Sequence, residues 1–224
     1  VGRKSKTQDF YGYKTEFLMT TEERIITSVR TADGAYIDGS YAKELLTQAK
    51  EAGIKVEEVY GDKAYFRKFI LDAIEDTQAK AYIPVSAVVY KLDEAQFTYN
   101  KDSDEWQCIR GNTSDEKKYF KGKSRGKSRE GYKYYFDVKQ CKICPNHDEC
   151  AGKSARKILQ IGLNTVEFYE MSQYQNSEEF KEKYKKRASI EGKNAELKRF
   201  HGLNRARGYG LLSVSIQSKL AAIA

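Results

Sequence analysis

Asp62 stands at a position where a protein of mixed α/β structure could build a site. The strand-like run at residues 55–60 ends in Gly61, and Asp62 follows directly. Strand ends in α/β sheets open on a crevice, so side chains delivered there can meet a ligand. The alternative is that the carboxylate only caps the helical turn that follows it.

A helical pattern further along the chain carries a second acidic residue, Glu191. Arg187, Glu191, Asn194 and Lys198 follow one another at spacings of three or four residues, which places them on one face of a helix. Side chains on such a face could form part of a site. The alternative is a solvated surface stabilised by ion pairs between residues one turn apart.

The four cysteines form a third group. Cys141, Cys144 and Cys150 have the spacing of a compact knuckle that also contains His147, and Cys108 is the remaining cysteine. Four thiolates suit tetrahedral Zn²⁺, and His147 could replace one of them. A closed site of this kind is structural, because it leaves no open coordination position. Reduced free thiols and disulfides are the alternatives.

A basic stretch at residues 198–210 forms the fourth group. Lys198, Arg199, Arg205 and Arg207 are interleaved there with aromatic residues and glycines, a pattern that suits a phosphate backbone. The chain as a whole has 40 Lys and Arg against 32 Asp and Glu, and its charge of +8 favours a polyanionic partner, nucleic acid first. Ordinary surface charge screened by salt is the alternative.

The composition excludes several classes of protein. With 17 Tyr and 10 Phe among 224 residues, the chain is too rich in aromatic residues for disorder as its main state. The longest nearly uncharged apolar stretch, at residues 81–90, is far shorter than the ~20 residues that cross a bilayer. No apolar run follows the basic residues 1–6, as a secretory signal requires. We therefore expect a cytoplasmic protein with no membrane partner.

Periodicity and turn residues predict a mixed α/β sheet with flanking helices. The predicted elements are a hairpin at residues 11–20 and 24–30, a helix at 40–52, a strand at 55–60, a helix at 67–75, a strand at 80–85, a long helix from Ser177 and a helix at 214–224. The low-complexity basic run at residues 121–129 is predicted to be a mobile loop. The composition changes near residue 91. This change predicts a first core segment at 1–90, a cysteine-bearing insertion at 91–165 and C-terminal helices at 166–224.

Four segments together resemble the C-terminal part of insertion-sequence transposases with a DDE active site on an RNase H-like core. They are FYGYKTEF at residues 10–17, VYGDKAY at 59–65, the cysteine knuckle, and RASIEGKNAELKRFHGLNRARGYGL at 187–211. The resemblance covers residues 10–224 and fits the subgroup with a cysteine-bearing insertion before the final helix. It implies an RNase H-like mixed sheet interrupted by a zinc-knuckle-like insertion.

In that family two or three carboxylates bind two divalent ions for phosphoryl transfer. Matched motif to motif, Asp62 corresponds to the second aspartate and Glu191 to the glutamate, so the resemblance implies that both bind Mg²⁺ or Mn²⁺. Transposon ends and target DNA are the implied partners, and the synapsis of two ends implies self-association. The residues expected to contact DNA are Arg187, Lys198, Arg199, Arg205 and Arg207.

The family's first aspartate has no match in this chain. Asp9 lies in the entry segment, and Asp38 matches a recurring family aspartate outside the three, which we expect to cap the helix starting at Ser40. We therefore expect this piece to be incomplete and inactive alone. Whether the chain counts as an enzyme stays open, because the family is catalytic but the first aspartate is not matched. The alternative functions are a non-catalytic zinc-containing DNA-binding module derived from a transposase, and an α/β protein with structural zinc and no role with nucleic acid.

Overall fold

The chain forms two compact units. The computed structural model describes residues 2–5, 8–124 and 126–224. The first unit combines Val1–Ser86 with Gln175–Ala224, and the second unit is Ala87–Tyr174. Asp62 and Glu191, although far apart in sequence, therefore belong to the same unit, while all four cysteines belong to the other.

Short strands and helices alternate along both units. In chain order, the strands are β1 (Gly2–Ser5), β2 (Gln8–Phe10), β3 (Tyr13–Met19), β4 (Ile26–Asp33), β5 (Glu58–Tyr60), β6 (Lys80–Tyr82), β7 (Phe97–Asn100), β8 (Glu105–Cys108), β9 (Ser114–Ser124), β10 (Lys127–Phe136) and β11 (Ile158–Gly162). The helices are α1 (Ala42–Glu51), α2 (Lys68–Glu75), α3 (Val138–Lys142), α4 (His147–Cys150), α5 (Thr165–Gln175), α6 (Glu178–Tyr184), α7 (Ala188–Arg199) and α8 (Leu211–Ile223). No helix in the described part of the chain is long and apolar enough to cross a membrane.

The first unit begins with the predicted hairpin. Strands β3 and β4 pair antiparallel, with Phe17 opposite Val29, which confirms the hairpin expected from the β-branched and aromatic residues of this region. Helix α1 follows and buries Leu45, Leu46 and Ala49, the three apolar positions that predicted it. The hairpin and α1 thereby form one wall of the unit.

Strands β5 and β6 pair in parallel, and the connection between them contains α2. This is a βαβ unit, which requires a crossover because parallel strands cannot be joined by a tight turn. Helix α2 packs through Ile70, Leu71, Ala73 and Ile74, whereas Phe69, which the sequence placed on the buried face, is half exposed. The strand that precedes Asp62 therefore lies in a sheet, as predicted.

The C-terminal part of the first unit is helical. Ser177 caps α6, because its hydroxyl oxygen accepts a hydrogen bond from the Phe180 backbone N–H at 3.2 Å. A 3₁₀ turn at Lys185–Arg187 separates α6 from α7, so the predicted long helix is two helices joined by a tighter turn. Helix α8 lies within three residues of the predicted final helix.

The second unit is built on a three-stranded antiparallel sheet in the order β11–β10–β9. Its core contains Trp106 and Phe136, which are fully buried, together with Tyr134 and Phe97. The prediction of a mobile loop at residues 121–129 is wrong, because most of this run belongs to β9 and β10; Arg125 lies outside the described residues.

Asp104 joins two tyrosines and a lysine beside this core. Its Oδ1 atom accepts hydrogen bonds from Tyr99 Oη and Tyr134 Oη, each at 2.7 Å, and its Oδ2 atom pairs with Lys117 Nζ. Burial by itself raises the pKa of Asp104, but the hydrogen bonds from Lys117 and the two tyrosines lower that pKa on balance. The charged carboxylate is thus the form that the fold stabilises.

Replacing Asp104 with Ala is expected to lower the free energy of unfolding by about 2 kcal/mol, because the buried Tyr134 hydroxyl loses its acceptor. Denaturant unfolding, followed by tryptophan fluorescence, measures this change, since Trp106 is the only tryptophan and lies in the same core. Asp102→Ala is the matched control at an exposed position, with an expected change below about 0.5 kcal/mol. Equal effects of the two substitutions would contradict the role given to Asp104.

Candidate active site and nucleic-acid interface

Asp62 caps the short 3₁₀ turn Lys63–Tyr65. Its Oδ1 atom accepts a hydrogen bond from the Ala64 backbone N–H at 2.7 Å, so the capping role considered as an alternative is present. Capping occupies one acceptor position of a carboxylate that has about four. The half-buried Asp62 side chain can therefore cap the turn and also bind a cation.

Glu191 lies in the first turn of α7 and is well exposed. Its Oε1 atom lies 3.0 Å from Nη1 of Arg187, one helical turn earlier. The alternative to a site on this helix face was a solvated surface with ion pairs, and such an ion pair is therefore present. Since Glu191 is exposed and Arg187 only half-buried, solvent screening keeps the pair weak enough for a cation to compete.

Asp62 and Glu191 line the same cleft of the first unit. The cleft has a volume of about 640 Å³, and Glu16, Arg187 and Asn194 also line it. Burial is the main cause of the raised pKa of Tyr184; the positive charge of Arg187 lowers that pKa, and the negative charges of Asp62 and Glu191 raise it. Two acidic residues that the sequence separates widely thus line one cleft.

The chemistry of these ligands suits a hard divalent cation. Carboxylate oxygens are the ligands that Mg²⁺ prefers, and Mg²⁺ commonly binds through one or two carboxylates together with water and substrate phosphates. Within residues 2–5, 8–124 and 126–224, no group of three or more His, Cys, Asp or Glu side chains is arranged to hold a metal ion.

Glu16 is a residue of this cleft that the sequence did not single out. It lies on β3, and only 8% of its surface is exposed. Its carboxylate accepts hydrogen bonds from Tyr36 Oη at 2.6 Å, Tyr65 Oη at 3.3 Å and the Gly39 backbone N–H. Burial raises the pKa values of both tyrosines well above that of a free tyrosine, and the negative charge of Glu16 contributes to this increase. The sequence signal was its place in the FYGYKTEF segment, where no separate role was assigned to it.

Asp38 does not cap α1, so that prediction is wrong. Helix α1 begins at Ala42 without a side-chain cap, and Asp38 instead forms an ion pair with Lys14 Nζ at 2.9 Å. The neighbouring Gly39 has a φ of +86°, and a Cβ there would lie 2.3 Å from Ile70 Cδ1. The chain thus makes a tight turn at this point that only glycine fits, and the turn places Asp38 outside the cap position.

The basic stretch after Glu191 exposes its cations, and side chains from elsewhere in the first unit hold its backbone; Tyr13 Oη accepts a hydrogen bond from the Gly210 N–H at 3.0 Å. Gln217 of α8 donates hydrogen bonds from Nε2 to the carbonyl oxygens of Gly202 and Arg205, and its Oε1 atom accepts one from the Arg207 backbone N–H. The exposed cations of this stretch are Lys198, Arg199, Arg205 and Arg207. Arg187 differs from them, since it is half-buried and paired with Glu191.

The four cysteines are free thiols that lie in one neighbourhood of the second unit. Burial is the main cause of the raised pKa of Cys150; Lys157 lowers that pKa, and Cys108, Cys141 and Cys144 raise it. No disulfide joins them, which matches the reduced-thiol alternative. They are also not arranged as a metal-binding group in the described structure.

Comparison with protein families supplies the remaining finding. The family model described as the transposase DDE domain matches residues 2–224. The chain belongs to this family. No curated protein and no solved structure matched the chain. The transposase domain thus spans both units of mixed α/β structure, including the cleft with Asp62 and Glu191. Transposases act on DNA, and members of this family normally use divalent metal ions.

Proposed function

We propose that this transposase domain cuts and joins DNA at transposon ends by metal-dependent phosphoryl transfer. The observation that carries the proposal is that Asp62 and Glu191 line one cleft of the first unit. Both are the residues that the motif match assigns as metal ligands. A cleft lined by two carboxylates is consistent with a family that normally uses divalent ions.

Three residues of the cleft, Asp62, Glu191 and Arg187, have stated roles in this proposal. Asp62, fixed at the end of β5 by its bond to Ala64, and Glu191, fixed on α7, would hold Mg²⁺ or Mn²⁺. Arg187 orients the Glu191 carboxylate through their ion pair. Bound divalent ions supply activation of the attacking oxygen and stabilisation of the leaving oxygen.

The exposed cations next to the cleft would bind DNA. Lys198 and Arg199 lie in the last turn of α7, about two turns after Glu191, and Arg205 and Arg207 lie in the segment held by Gln217. This continuity along one short part of the chain would bring phosphate groups towards the carboxylates. Arg187 would contact DNA from within the cleft. Assembly of two copies of the protein on two transposon ends completes the proposal.

The proposed architecture is an RNase H-like core formed by residues 1–90 and 166–224 and interrupted by the insertion at 91–165. The hairpin β3–β4 and the parallel pair β5–β6, with α2 as their βαβ crossover, supply strand pairs suited to such a sheet. The cleft is lined by residues of both β3 and β5, so it lies between the two strand pairs. Asp62 at the end of β5 then occupies a strand end that opens on the crevice.

Strand cleavage tests the proposed function. Full-length protein that includes this domain is incubated with DNA carrying the transposon ends, in the presence of Mg²⁺, of Mn²⁺ or of a chelator. Cleavage at the ends that requires a divalent ion is the expected result. Cleavage that proceeds in the chelator would contradict the proposal, and binding without cleavage in either ion would favour the non-catalytic DNA-binding module.

The proposal also includes a structural zinc site in the second unit. Its support is the shared neighbourhood of Cys108, Cys141, Cys144 and Cys150, with thiols that influence one another. Binding would require the thiols to shift, because they do not form a metal-binding group as they stand. Zn²⁺ would then stabilise the fold of the second unit, since metal affinity in such sites adds to folding free energy.

Replacing Cys144 with Ser is expected to remove bound zinc and to lower the melting temperature of the protein. Elemental analysis of the purified protein and a thermal unfolding scan measure the two effects. Asp148→Asn, in the same knuckle but without a thiol, is the control and should keep both zinc and stability. The absence of zinc from the wild-type protein, together with an unchanged melting temperature for Cys144→Ser, would refute the zinc site.

A further inference from the structure

The outer end of the β9–β10 hairpin stands apart from the rest of its sheet. Strand β10 pairs with β11 only from Gly131 to Tyr135, and beyond Gly131 it pairs with β9 alone. We call residues 121–124 and 127–130, which form this two-stranded outer part, the ribbon tip. At ~3.4 Å per residue its four-residue strands extend the sheet by about 13 Å.

Basic and small residues alternate along the ribbon tip as far as Arg129, and Glu130 is its acidic residue. The run at residues 121–129 reads KGKSRGKSR, in which each of the five cations is separated from the next by a glycine or a serine. In the pairing register, Lys121 lies opposite Glu130 and Lys123 opposite Ser128, while Arg129 lies opposite Gly122. Because side chains alternate between the faces of a strand, Lys121 and Lys123 share one face and Arg129 lies on the other.

The cations of the ribbon tip differ from those at its base in their partners. At the base, Lys117 pairs with Asp104 and Lys118 pairs with Glu116 at 2.6 Å, so the fold itself neutralises both charges. At the tip, Lys121 has one distant ion pair, 3.8 Å from Glu130. Lys123 and Arg129 are exposed and form no ion pair within the part of the chain that the structure describes. The charges of Lys123 and Arg129 are therefore not neutralised by an ion pair among the described residues, and that of Lys121 is only weakly paired.

We propose that the ribbon tip is a DNA-binding surface, separate from the basic stretch beside Glu191, that holds the backbone of duplex DNA without reading its sequence. This inference rests on the proposed function, because it names a second surface through which the domain would bind its DNA. A two-stranded β-ribbon fits the major groove, which is ~12 Å wide. Cations on both faces of the ribbon meet the phosphates on both sides of the groove, and the small residues let the backbone approach closely.

Neutralising three cations of the ribbon tip tests the proposal. The triple variant Lys121→Gln, Lys123→Gln, Arg129→Gln is compared with wild type in the full protein, by fluorescence anisotropy on duplex DNA of mixed sequence in a chelator. Loss of three phosphate contacts lowers the slope of log affinity against log salt by about 2.7, and it weakens binding at least about tenfold near 0.1 M salt. The control removes the same number of charges elsewhere in the second unit, in the triple variant Lys91→Gln, Lys139→Gln, Lys153→Gln. This control variant should bind DNA within about threefold of wild type.

Other results would overturn either the ribbon proposal alone or the proposed function as well. If the ribbon-tip variant binds like wild type, the ribbon proposal is overturned while the proposed function stands. Equal losses in both triple variants would show an effect of net charge alone and would also overturn the ribbon proposal. If wild type does not bind DNA, the DNA-directed function itself fails, and the ribbon proposal fails with it. A variant that keeps the charges, Lys121→Arg with Lys123→Arg and Arg129→Lys, should retain wild-type affinity, and loss of affinity there would contradict binding to phosphates.

Discussion

Full-length protein carrying Asp62→Asn or Glu191→Gln is expected to lose strand cleavage by a factor on the order of 10³ or more, with DNA binding nearly unchanged. Each substitution removes the negative charge of a carboxylate that lines the cleft but keeps the size of the side chain. A cation is then bound too weakly to stabilise the charge that develops on the transferred phosphoryl group. Cleavage of labelled transposon-end DNA and binding to the same DNA are the two measurements.

The control for this prediction is Glu75→Gln. Glu75 is the exposed last residue of α2 in the same unit and does not line the cleft, so its neutralisation should leave cleavage within about twofold. Cleavage retained by Asp62→Asn or Glu191→Gln would end the assignment of that residue as a metal ligand. A loss of DNA binding equal to the loss of cleavage would place the residue in binding instead of chemistry.

Replacing Glu16 with Ala is expected to lower the free energy of unfolding by about 3 kcal/mol. Three donors lose their acceptor: the hydroxyls of Tyr36 and Tyr65 and the backbone N–H of Gly39. Leaving a buried donor unpaired costs about 1–3 kcal/mol, and water entering from the cleft offsets part of the sum. Denaturant unfolding followed by far-UV circular dichroism measures the change.

Two further substitutions show whether hydrogen bonding is the cause. In Glu16→Gln the one amide oxygen can replace only one of the two carboxylate oxygens: Oε1, which accepts from Tyr65 and Gly39, or Oε2, which accepts from Tyr36. About half of the stability lost in Glu16→Ala should therefore be regained. Glu23→Ala, at an exposed position of the turn between β3 and β4, should change stability by less than about 0.5 kcal/mol. If Glu16→Ala and Glu23→Ala have the same small effect, the three hydrogen bonds do not stabilise the first unit.

Elements with strong local signals were predictable from the sequence. Helix α1 carries its three buried residues at helical spacing, and Ser177 carries the capping signal of α6, so both appear close to where they were expected. The hairpin β3–β4 was predictable for the same reason, because its residues favour strands and a short polar turn joins them. In these cases the local preference and the tertiary structure agree.

The ribbon tip shows where local reasoning fails. Glycine, serine and lysine in residues 121–129 are typical of a loop, yet cross-strand pairing continues the register of β9 and β10 through most of this run. Glu16 lies within the FYGYKTEF segment but escaped prediction as a cleft residue, because a single acidic residue in a strand does not indicate its partners, which come from two separate turns. Tertiary context decided both cases.

The candidate site was predictable only with the help of the resemblance. Nothing in the spacing of Asp62 and Glu191 indicates that they share a cleft, since a whole unit of the chain lies between them. The local alternatives for these residues, a capped turn and an i,i+4 ion pair, are both present. A motif match across both segments was needed to relate them, because each segment alone is compatible with a site and equally with a cap or a solvated face.

The direct test of the central claim is the binding of Mn²⁺ to the cleft. Titration of the full protein with Mn²⁺, followed by electron paramagnetic resonance of the free ion, compares wild type with Asp62→Asn and with Glu191→Gln. We predict that wild type binds Mn²⁺ and that each variant binds it at least about tenfold more weakly, because two carboxylates supply the protein ligands. Equal Mn²⁺ affinity in wild type and both variants would contradict the account.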